Sequence, residues 1–505
     1  MTPLLGVTAS GTVDLGEVKK GLRQELTWCY RLPYTPNRLA VVGGIMLFSR
    51  SLDIIAKPDV LVVGAGCAGT VAALAAARAG ANTLVVERCG FAGGYITGVV
   101  GASLDGFVDL RSGLPIVGGI AFDLARAAAN TSAQGDLAAT RFRFNAEVGQ
   151  SQSNLERATI HFDIERFKLE ADRLMQAAGA RLLYHSIIAD AIREGDRVTG
   201  VVVANKGGLG VVQPKTIVDA SGDADVAAFA GAPYAQDLDA QQPMSLHFRI
   251  AGFHATPEVR AQCGTVLEEA RAEGRLHLYG GPWMAPLGPG EYYFNATRFA
   301  GNGVDPDDLS AAEIQGRKDA RLMFDLFQER IPAFKDAQFV TSGPVVGVRE
   351  TRRIMGDQTL TIDDVRDATA YEDAVCLGGW WLDRHPVGSS GYHEHVITRP
   401  YDISYGTLVP QGLSNVWVAG RCHSADSAAL ASSRVTLTCM GMGQAAGTAA
   451  AKSARESLGS RDLDIRSLQD ELLAAGAIVG SRADEVRAVG DAMTPDQMPS
   501  TAASH

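Results

Sequence analysis

The sequence has no CxxC pair, and its seven cysteines are scattered, so neither a disulfide framework nor a thiolate zinc centre is signalled. It has no excess of positive charge either. Its 46 basic side chains stand against 57 acidic ones, a net charge of −11, which disfavours nucleic-acid binding. The N-terminus lacks the basic and apolar regions of a secretory signal. The uncharged stretch from Val60 to Ala77 is mostly Ala and Gly, too poor in large aliphatics for a membrane span. These absences give the expectation of a cytoplasmic protein with no metal, membrane or nucleic-acid partner. Aromatic residues make up only 7%, hydrophobic residues 46% and charged residues 20%, an ordinary globular balance. No repeat or low-complexity tract occurs. The one excess is glycine, with 56 copies in 505 residues against a usual ~7%.

Many of those glycines have a place in one pattern. A β-rich run at Val60 to Val63 is followed by GAGCAG at 64–69, an Ala-rich helix to Ala79, a stop at Gly80, and a second strand ending at Glu87. Gly64 permits a tight turn, and Gly66, followed by Ala68, lets the backbone approach a pyrophosphate. Gly69 allows close helix packing, while Glu87 stands where a ribose would be hydrogen-bonded. This much predicts a dinucleotide site without choosing between NAD and FAD. The looser GMGQAAG, with Gly441, Gly443 and Gly447, reads as packing of a helix against a sheet. With no other GxGxxG in the chain, a dedicated NAD(P)H domain is not expected.

Three further segments supply a resemblance. RCGFAGG follows Glu87, TIVDASGDADV occupies 216–226, and NVWVAGR with the helix ending in GQAAG lies at 415–447. Together they resemble FAD-dependent oxidoreductases of the glutathione-reductase-like superfamily. GVRETRRIMGDQ from 347 and GGWWLDRHP from 378 tighten the likeness to a bacterial family with Gly-x-Arg-Glu-x-Arg-Arg and Asp-x-His motifs. The resemblance implies FAD as cofactor. It makes Arg88, the basic residue after the acid, a cofactor residue, and it places Gly93 and Gly94 under the flavin phosphates and ribitol and Ile188 near the adenine. Ala220, Ser221 and Gly222 would close over the adenosine side and Gly420 and Arg421 would form the flavin turn, while backbone amides near Arg434, Val435 and Thr436 would face the flavin pyrimidine. The implied fold is α/β, a Rossmann-like FAD-binding domain interleaved with a mixed α+β substrate domain. The FAD-binding parts are 57–110, 155–232 and 405–470, the substrate parts are 111–154 and 233–404, an N-terminal arm covers 1–56, and a frayed tail covers 481–505.

Site chemistry follows from what a flavin asks of its surroundings. Hydride removal from a C–H beside an O–H or N–H of a small molecule, by a dehydrogenase or oxidase, needs a base for the adjoining proton. His385, two residues after Asp383, is the first candidate, followed by His393, His395 and His423. Arg349, Arg352 and Arg353 could hold an anionic substrate or stabilise reduced flavin, or equally pair with Glu350, Asp357 or Asp364, and a structural role is expected for at least two of them. Trp283, Tyr292, Tyr293, Trp380, Trp381 and Tyr392 are candidates for an aromatic pocket. The alternative is a monooxygenase acting on an aromatic ring or heteroatom. A homo-oligomer is left open. Two local expectations complete the reading: a helix from Ile164 to Ala178 capped by Asp163, and a helix from Ser310 with Glu313 as its capping box.

Overall fold

The computed structural model describes residues 38–42, 45–101, 103–109, 111–128, 159–161, 163–385 and 398–491. The chain divides into two compact units, Met1–Asp53 and Ile54–His505. In the first, where the sequence shows no clean period, strands Arg38–Val42 and Ile45–Ser49 pair antiparallel, with Arg38 opposite Ser49 and Val42 opposite Ile45.

A five-stranded parallel sheet organises the second unit. Its members are β1 (Val60–Val63), β2 (Thr83–Val86), β3 (Arg181–Leu183), β4 (Thr216–Asp219) and β5 (Val416–Val418), in the spatial order β5-β4-β1-β2-β3. The period-2 geometry of a strand sorts its side chains to two faces. Val60, Val62, Val85, Val218 and Trp417 join the core beneath the helices. Leu61, Val63, Leu84, Val86 and Ile217 join a second core, shared with Val198, Val201 and Val203. Those valines belong to an antiparallel sheet built from Asp53–Ala56, Gly208–Val212, Arg197–Asn205 and Ile187–Glu194. Buried on both faces, the central strands therefore read as continuous apolar runs.

Helix α1 (Cys67–Arg78) follows β1 directly, α2 (Ile164–Ala177) precedes β3, and α3 (Thr436–Glu456) follows β5. Asp163 caps α2, accepting hydrogen bonds from Glu165 N at 2.8 Å and Arg166 N at 3.1 Å, and Ile164, Phe167, Ala171 and Met175 form its buried stripe. Glycine packing in α3 differs from the expectation. A Cβ on Gly443 would lie 2.2 Å from Ala68 O, and one on Gly447 would lie 2.3 Å from Ala72 O, so both glycines admit α1 rather than a sheet. Only Gly441 faces a strand, its Cβ position lying 3.0 Å from Cys376 Cβ.

A second antiparallel sheet orders Tyr279–Gly288, Glu291–Thr297, Phe248–Ala251 and Gln338–Ser342. Helices Pro257–Ala272 and Pro306–Arg330 cover it over a core containing Phe248, Phe294, Phe327 and Phe334, each fully buried. Burial contributes about 1.5–3 kcal/mol for each such ring. The long helix starts earlier than the Ser310–Glu313 pattern suggests. Asp305 caps it, accepting from Asp307 N at 2.9 Å and Asp308 N at 3.1 Å, with Pro306 in its first turn. Ser310 Oγ instead donates to Pro306 O, and Glu313 accepts from Val346 N. The C-terminal segment read as a frayed tail begins as a helix, Ser481–Asp491, because Ala483 and Val486 find a core. Among the described residues no helix is long and apolar enough to cross a membrane.

Candidate functional site

The carboxyl ends of β1, β2 and β4 and the N-termini of α1 and α3 meet at a cavity of about 600 Å³. This is the position where the strand order of a parallel sheet reverses, with β2 to one side of β1 and β4 to the other. Gly64 adopts φ +84°, and a Cβ there would stand 2.5 Å from Ala220 O. Gly94, at φ +53°, would place a Cβ 2.8 Å from Gly66 Cα. Backbone thus forms the wall wherever a side chain would close it.

Both helix N-termini at this wall lack a side-chain cap. Gly66 and Val435 occupy the cap positions of α1 and α3, whereas Asp163, Thr256 and Asp305 cap the other long helices with their own side chains. The first amides of α1 and α3 are left for an anionic or polar ligand, favoured there by the helix dipoles. Glu87 is buried at the end of β2, where Oε2 accepts from Ala65 N at 2.7 Å and Oε1 from Cys89 N at 2.8 Å. These bonds fix the carboxylate while leaving it lone pairs for a ribose hydroxyl.

Gly64, Gly66, Ala68, Glu87, Arg88 and Gly94 all line this cavity. So do Ala220, Ser221 and Gly222 after β4, Gly420 and Arg421 after β5, and Arg434, Val435 and Thr436 at α3. Three predicted cofactor residues do not. A Cβ on Gly69 would meet Gly64 O at 1.8 Å and one on Gly93 would meet Thr97 Cγ2 at 2.6 Å, so both serve packing of the loop. Ile188 packs into the core on the opposite face of the sheet. Cys89 lines the cavity, but burial pushes its thiol up, away from a reactive thiolate. The described cysteines are all free, and among the described residues no His, Cys, Asp and Glu group suits a metal ion.

A polar chain forms the deeper end. His385 Nδ1 lies 3.4 Å from Arg298 Nη2, and His385 Nε2 lies 3.3 Å from Asp383 Oδ1. Asp383 Oδ2 in turn accepts from Arg434 Nη2 at 2.8 Å. A guanidinium can only donate, so Nδ1 is the accepting nitrogen and the ring is neutral, its proton on Nε2 towards Asp383. Burial, reinforced by Arg349 and Arg298 against the pull of Asp383, pushes His385 down to about 3. Burial alone would raise Asp383, but His385, Arg434 and Arg349 outweigh it and hold the carboxyl below its usual range. Arg349 is buried and donates to Pro243 O at 2.6 Å, Ser245 Oγ at 2.7 Å and Asn295 Oδ1 at 3.3 Å. The other arginines of its motif serve structure: Arg352 pairs with Asp225 and Arg353 with Glu350.

His393 and His395, with Tyr392, lie outside the described residues. His423 is buried away from the cavity between Gly420 O, 2.9 Å from Nδ1, and Ser433 Oγ, 3.2 Å from Nε2, and burial lowers it to about 4. Trp283, Tyr293, Trp380 and Trp381 line the cavity, whereas Tyr292 belongs to the aromatic core beside Phe253. The sequence reading missed His247 and Tyr95. His247 is fully buried, stacks on Tyr293 with centroids 5.9 Å apart, and meets the edge of Tyr95 at 5.7 Å. Burial first, then Arg349 and Arg298, lower it to about 3. A signal existed for each. Tyr95 directly follows the Gly-Gly pair, and His247 interrupts the apolar Leu246–Phe248 run.

Fold and site together define a mixed α/β protein built to hold a dinucleotide across the ends of a parallel sheet. The family described as FAD dependent oxidoreductase matches residues 59–472, and the chain belongs to it. The protein is an FAD-dependent oxidoreductase, and the glycine wall, uncapped helix ends and Glu87 fit that cofactor. No curated protein matches it in sequence. Among solved structures it is similar to a geranylgeranyl bacteriochlorophyll reductase-like protein from Thermoplasma acidophilum, at 14% identity and TM-score 0.41, over 87% of this chain and 89% of that one. The OxyS anhydrotetracycline hydroxylase from Streptomyces rimosus shares 13% identity at TM-score 0.39, over 82% and 64%. A p-nitrophenol 4-monooxygenase from Pseudomonas putida DLL-E4 shares 11% at TM-score 0.38, over 88% and 92%.

Proposed function

We propose that the chain is an FAD-dependent monooxygenase, placing one atom of O2 on an aromatic ring or heteroatom of a small molecule held at the deeper end of the cavity. The observation that carries this reading is the state of His385. Both its ring nitrogens are engaged, by Arg298 and Asp383, and burial pushes it down to about 3. A group so weakly basic gives little help in taking a proton from an alcohol or amine at neutral pH. His247, also near 3, is no better placed, and Asp383 is held by Arg434. Hydride removal assisted by His385, the first reading of the sequence, is left with a weak base. Oxygen transfer asks instead for a dry, aromatic-walled chamber with fixed charges.

In this reading 57–110, 155–232 and 405–470 form a Rossmann-like FAD-binding domain, interleaved with substrate parts at 111–154 and 233–404. FAD, when bound, supplies electron transfer from a reduced nicotinamide and the activation of O2. The amides at the start of α1 and α3 and the Gly64–Gly66–Gly94 wall hold it. Trp380 and Trp381, tilted by 33° with centroids 4.2 Å apart, exclude water from the deeper end. The Arg298–His385–Asp383–Arg434 chain fixes the charge there and moves no proton. The balance is two electrons from the reduced nicotinamide and two protons, one oxygen atom to the substrate and the other to water.

The test uses FAD-loaded protein, reduced nicotinamide and 18O2 against a panel of phenols and N-heteroaromatics. Label in a product is the expected result. Anaerobic bleaching of the flavin by an alcohol or amine at turnover rate, with no label incorporated from O2, would overturn the proposal.

A further inference from the structure

We infer that the deeper end of the cavity takes its ligand as an aromatic anion, a ring bearing a carboxylate or phenolate, with Arg349 receiving the charge and the Tyr95–His247–Tyr293 wall receiving the ring. Calling that ligand the substrate rests on the monooxygenase reading, whereas the preference for an anion is a property of binding alone.

The charge of the site points to it. All three hydrogen-bond acceptors around the Arg349 guanidinium, Pro243 O, Ser245 Oγ and Asn295 Oδ1, are neutral. Arg298 Nη1 draws on two of the same atoms, Ser245 Oγ at 2.8 Å and Asn295 Oδ1 at 3.0 Å. The Arg349 guanidinium thus donates only to neutral oxygens among the described residues. Asp383 acts on it from nearby but is itself engaged by Arg434 and His385, and Asp105 acts on Tyr95. A buried cation resting on neutral acceptors is costly unless an anion joins it. A planar guanidinium favours a planar, two-oxygen anion, which it can meet with parallel hydrogen bonds. Because the other arginines lower Arg349 further, the site gains most from a ligand that brings negative charge.

The shape of the wall points to a ring. His247 and Tyr293 stack with an interplanar angle of 18°, and Tyr95 meets His247 edge-on at 85°. All three rings line the same cavity as Arg349, so an aromatic ring can pack among them beside the guanidinium. A second, independent observation lies in the same wall. His247 Nδ1 and Arg434 Nε are buried with no hydrogen-bond partner among the described residues, although both side chains line the cavity. Buried polar atoms of a native protein are almost always satisfied, and a polar ligand would satisfy these.

The experiment measures binding without turnover. Full-length, FAD-loaded protein is titrated with benzoate, benzamide and benzylamine, following the flavin absorbance and the heat of binding. Benzoate should bind at least tenfold more tightly than benzamide, and benzylamine more weakly still. Arg349→Met should retain FAD and lose that tenfold preference, and Arg349→Lys should restore part of it. Equal or tighter binding of benzamide in the unaltered protein would overturn the proposal, and that comparison stands even if the variants do not fold. So would an Arg349→Met protein that keeps its preference while only the flavin potential shifts, since Arg349 would then serve the cofactor. A failed oxygen-label experiment alongside an intact benzoate preference would remove the monooxygenase reading and leave the anion site standing.

Discussion

Gly66 and Gly69 belong to one six-residue loop, yet a methyl group should affect them in opposite ways. In Gly69→Ala the new Cβ would lie 1.8 Å from Gly64 O and 3.2 Å from Ala220 Cβ. Relief demands roughly 1.5 Å of movement to reach van der Waals contact. The first turn of α1 cannot retreat, because Gly443 and Gly447 of α3 already bring that helix within van der Waals distance behind it. The cost should therefore reach the upper end of the usual range for overpacking, about 3 kcal/mol, in the apoprotein. In Gly66→Ala the nearest atom is Gly94 Cα at 4.0 Å, and φ of −67° suits any residue. Apoprotein stability should hold or rise by about 0.5 kcal/mol, since alanine restricts the unfolded chain. The methyl would instead stand where the cofactor phosphates approach, and the roughly 2.7 kcal/mol that FAD contributes at a hundred times its Kd should vanish. Urea unfolding followed by circular dichroism, with FAD stripped and then restored, separates the two. The reasoning fails if Gly66→Ala weakens the apoprotein as much as Gly69→Ala, or binds FAD normally.

Three further outcomes are expected. His385 and His247 fall to about 3 in the folded chain against ~6.5 unfolded, so the unfolded state binds more protons below pH 6.5. Stability should be full above pH 6.5 and decline by about 2 kcal/mol per histidine by pH 5; His423, at about 4, adds to the decline, while Asp225, pushed up to about 6, and Asp219, Asp319 and Asp402, also raised by burial, oppose it. His385→Asn and His247→Asn should each remove about one proton from that slope, and a slope that neither substitution changes would refute the neutral-histidine assignment. Arg434→Met should cost about 3 kcal/mol by leaving Asp383 without its 2.8 Å partner, and adding Asp383→Asn should recover at least about 1 kcal/mol in a denaturation-based double-mutant cycle. Asp305→Ala should cost about 1 kcal/mol and Ser310→Ala under about 0.5 by the same assay; the reverse order would restore Ser310 as the helix start.

The glycine loop, its flanking strands and the Asp163 cap were legible because each is encoded within a few residues of itself. The start of α3 at Thr436 could be read only through the resemblance, since VTLTC by itself passes for a strand. At the long helix two cap signals competed. Asp305–Pro306 satisfies the first turn earlier than Ser310 and Glu313, and the earlier signal wins once Glu313 is drawn away to Val346 N. The side chain of Ile188 packs into the core on the opposite face of the sheet, which its sequence did not foretell, because a strand's sequence does not say which side of a neighbouring sheet it will cover. His247, Tyr95 and Arg298 escaped for a deeper reason. Their meeting depends on the antiparallel sheet being set against the loop after Gly94, a juxtaposition no local period records. His385 and Asp383 were legible as a pair, but their protonation was not, since it comes from Arg298, Arg349 and Arg434 on three other segments.

The order in which the sheet acquires its strands has a consequence for biosynthesis. β1, β2, β3 and β4 emerge from the ribosome long before β5 and α3, whose sequence lies some two hundred residues further on. Until β5 arrives, β4 is an open edge carrying the run TIVD, wholly buried in the finished fold, a template for pairing with other nascent chains. The glycine loop meanwhile waits with one of its two helix ends missing. With the start of α3 holding the cofactor as proposed, capture of FAD should be a late event that follows near-complete synthesis. Chains stalled before Thr436 should be both colourless and prone to aggregate, and the cell's supply of cofactor acts on the last closing step rather than on the first fold to form.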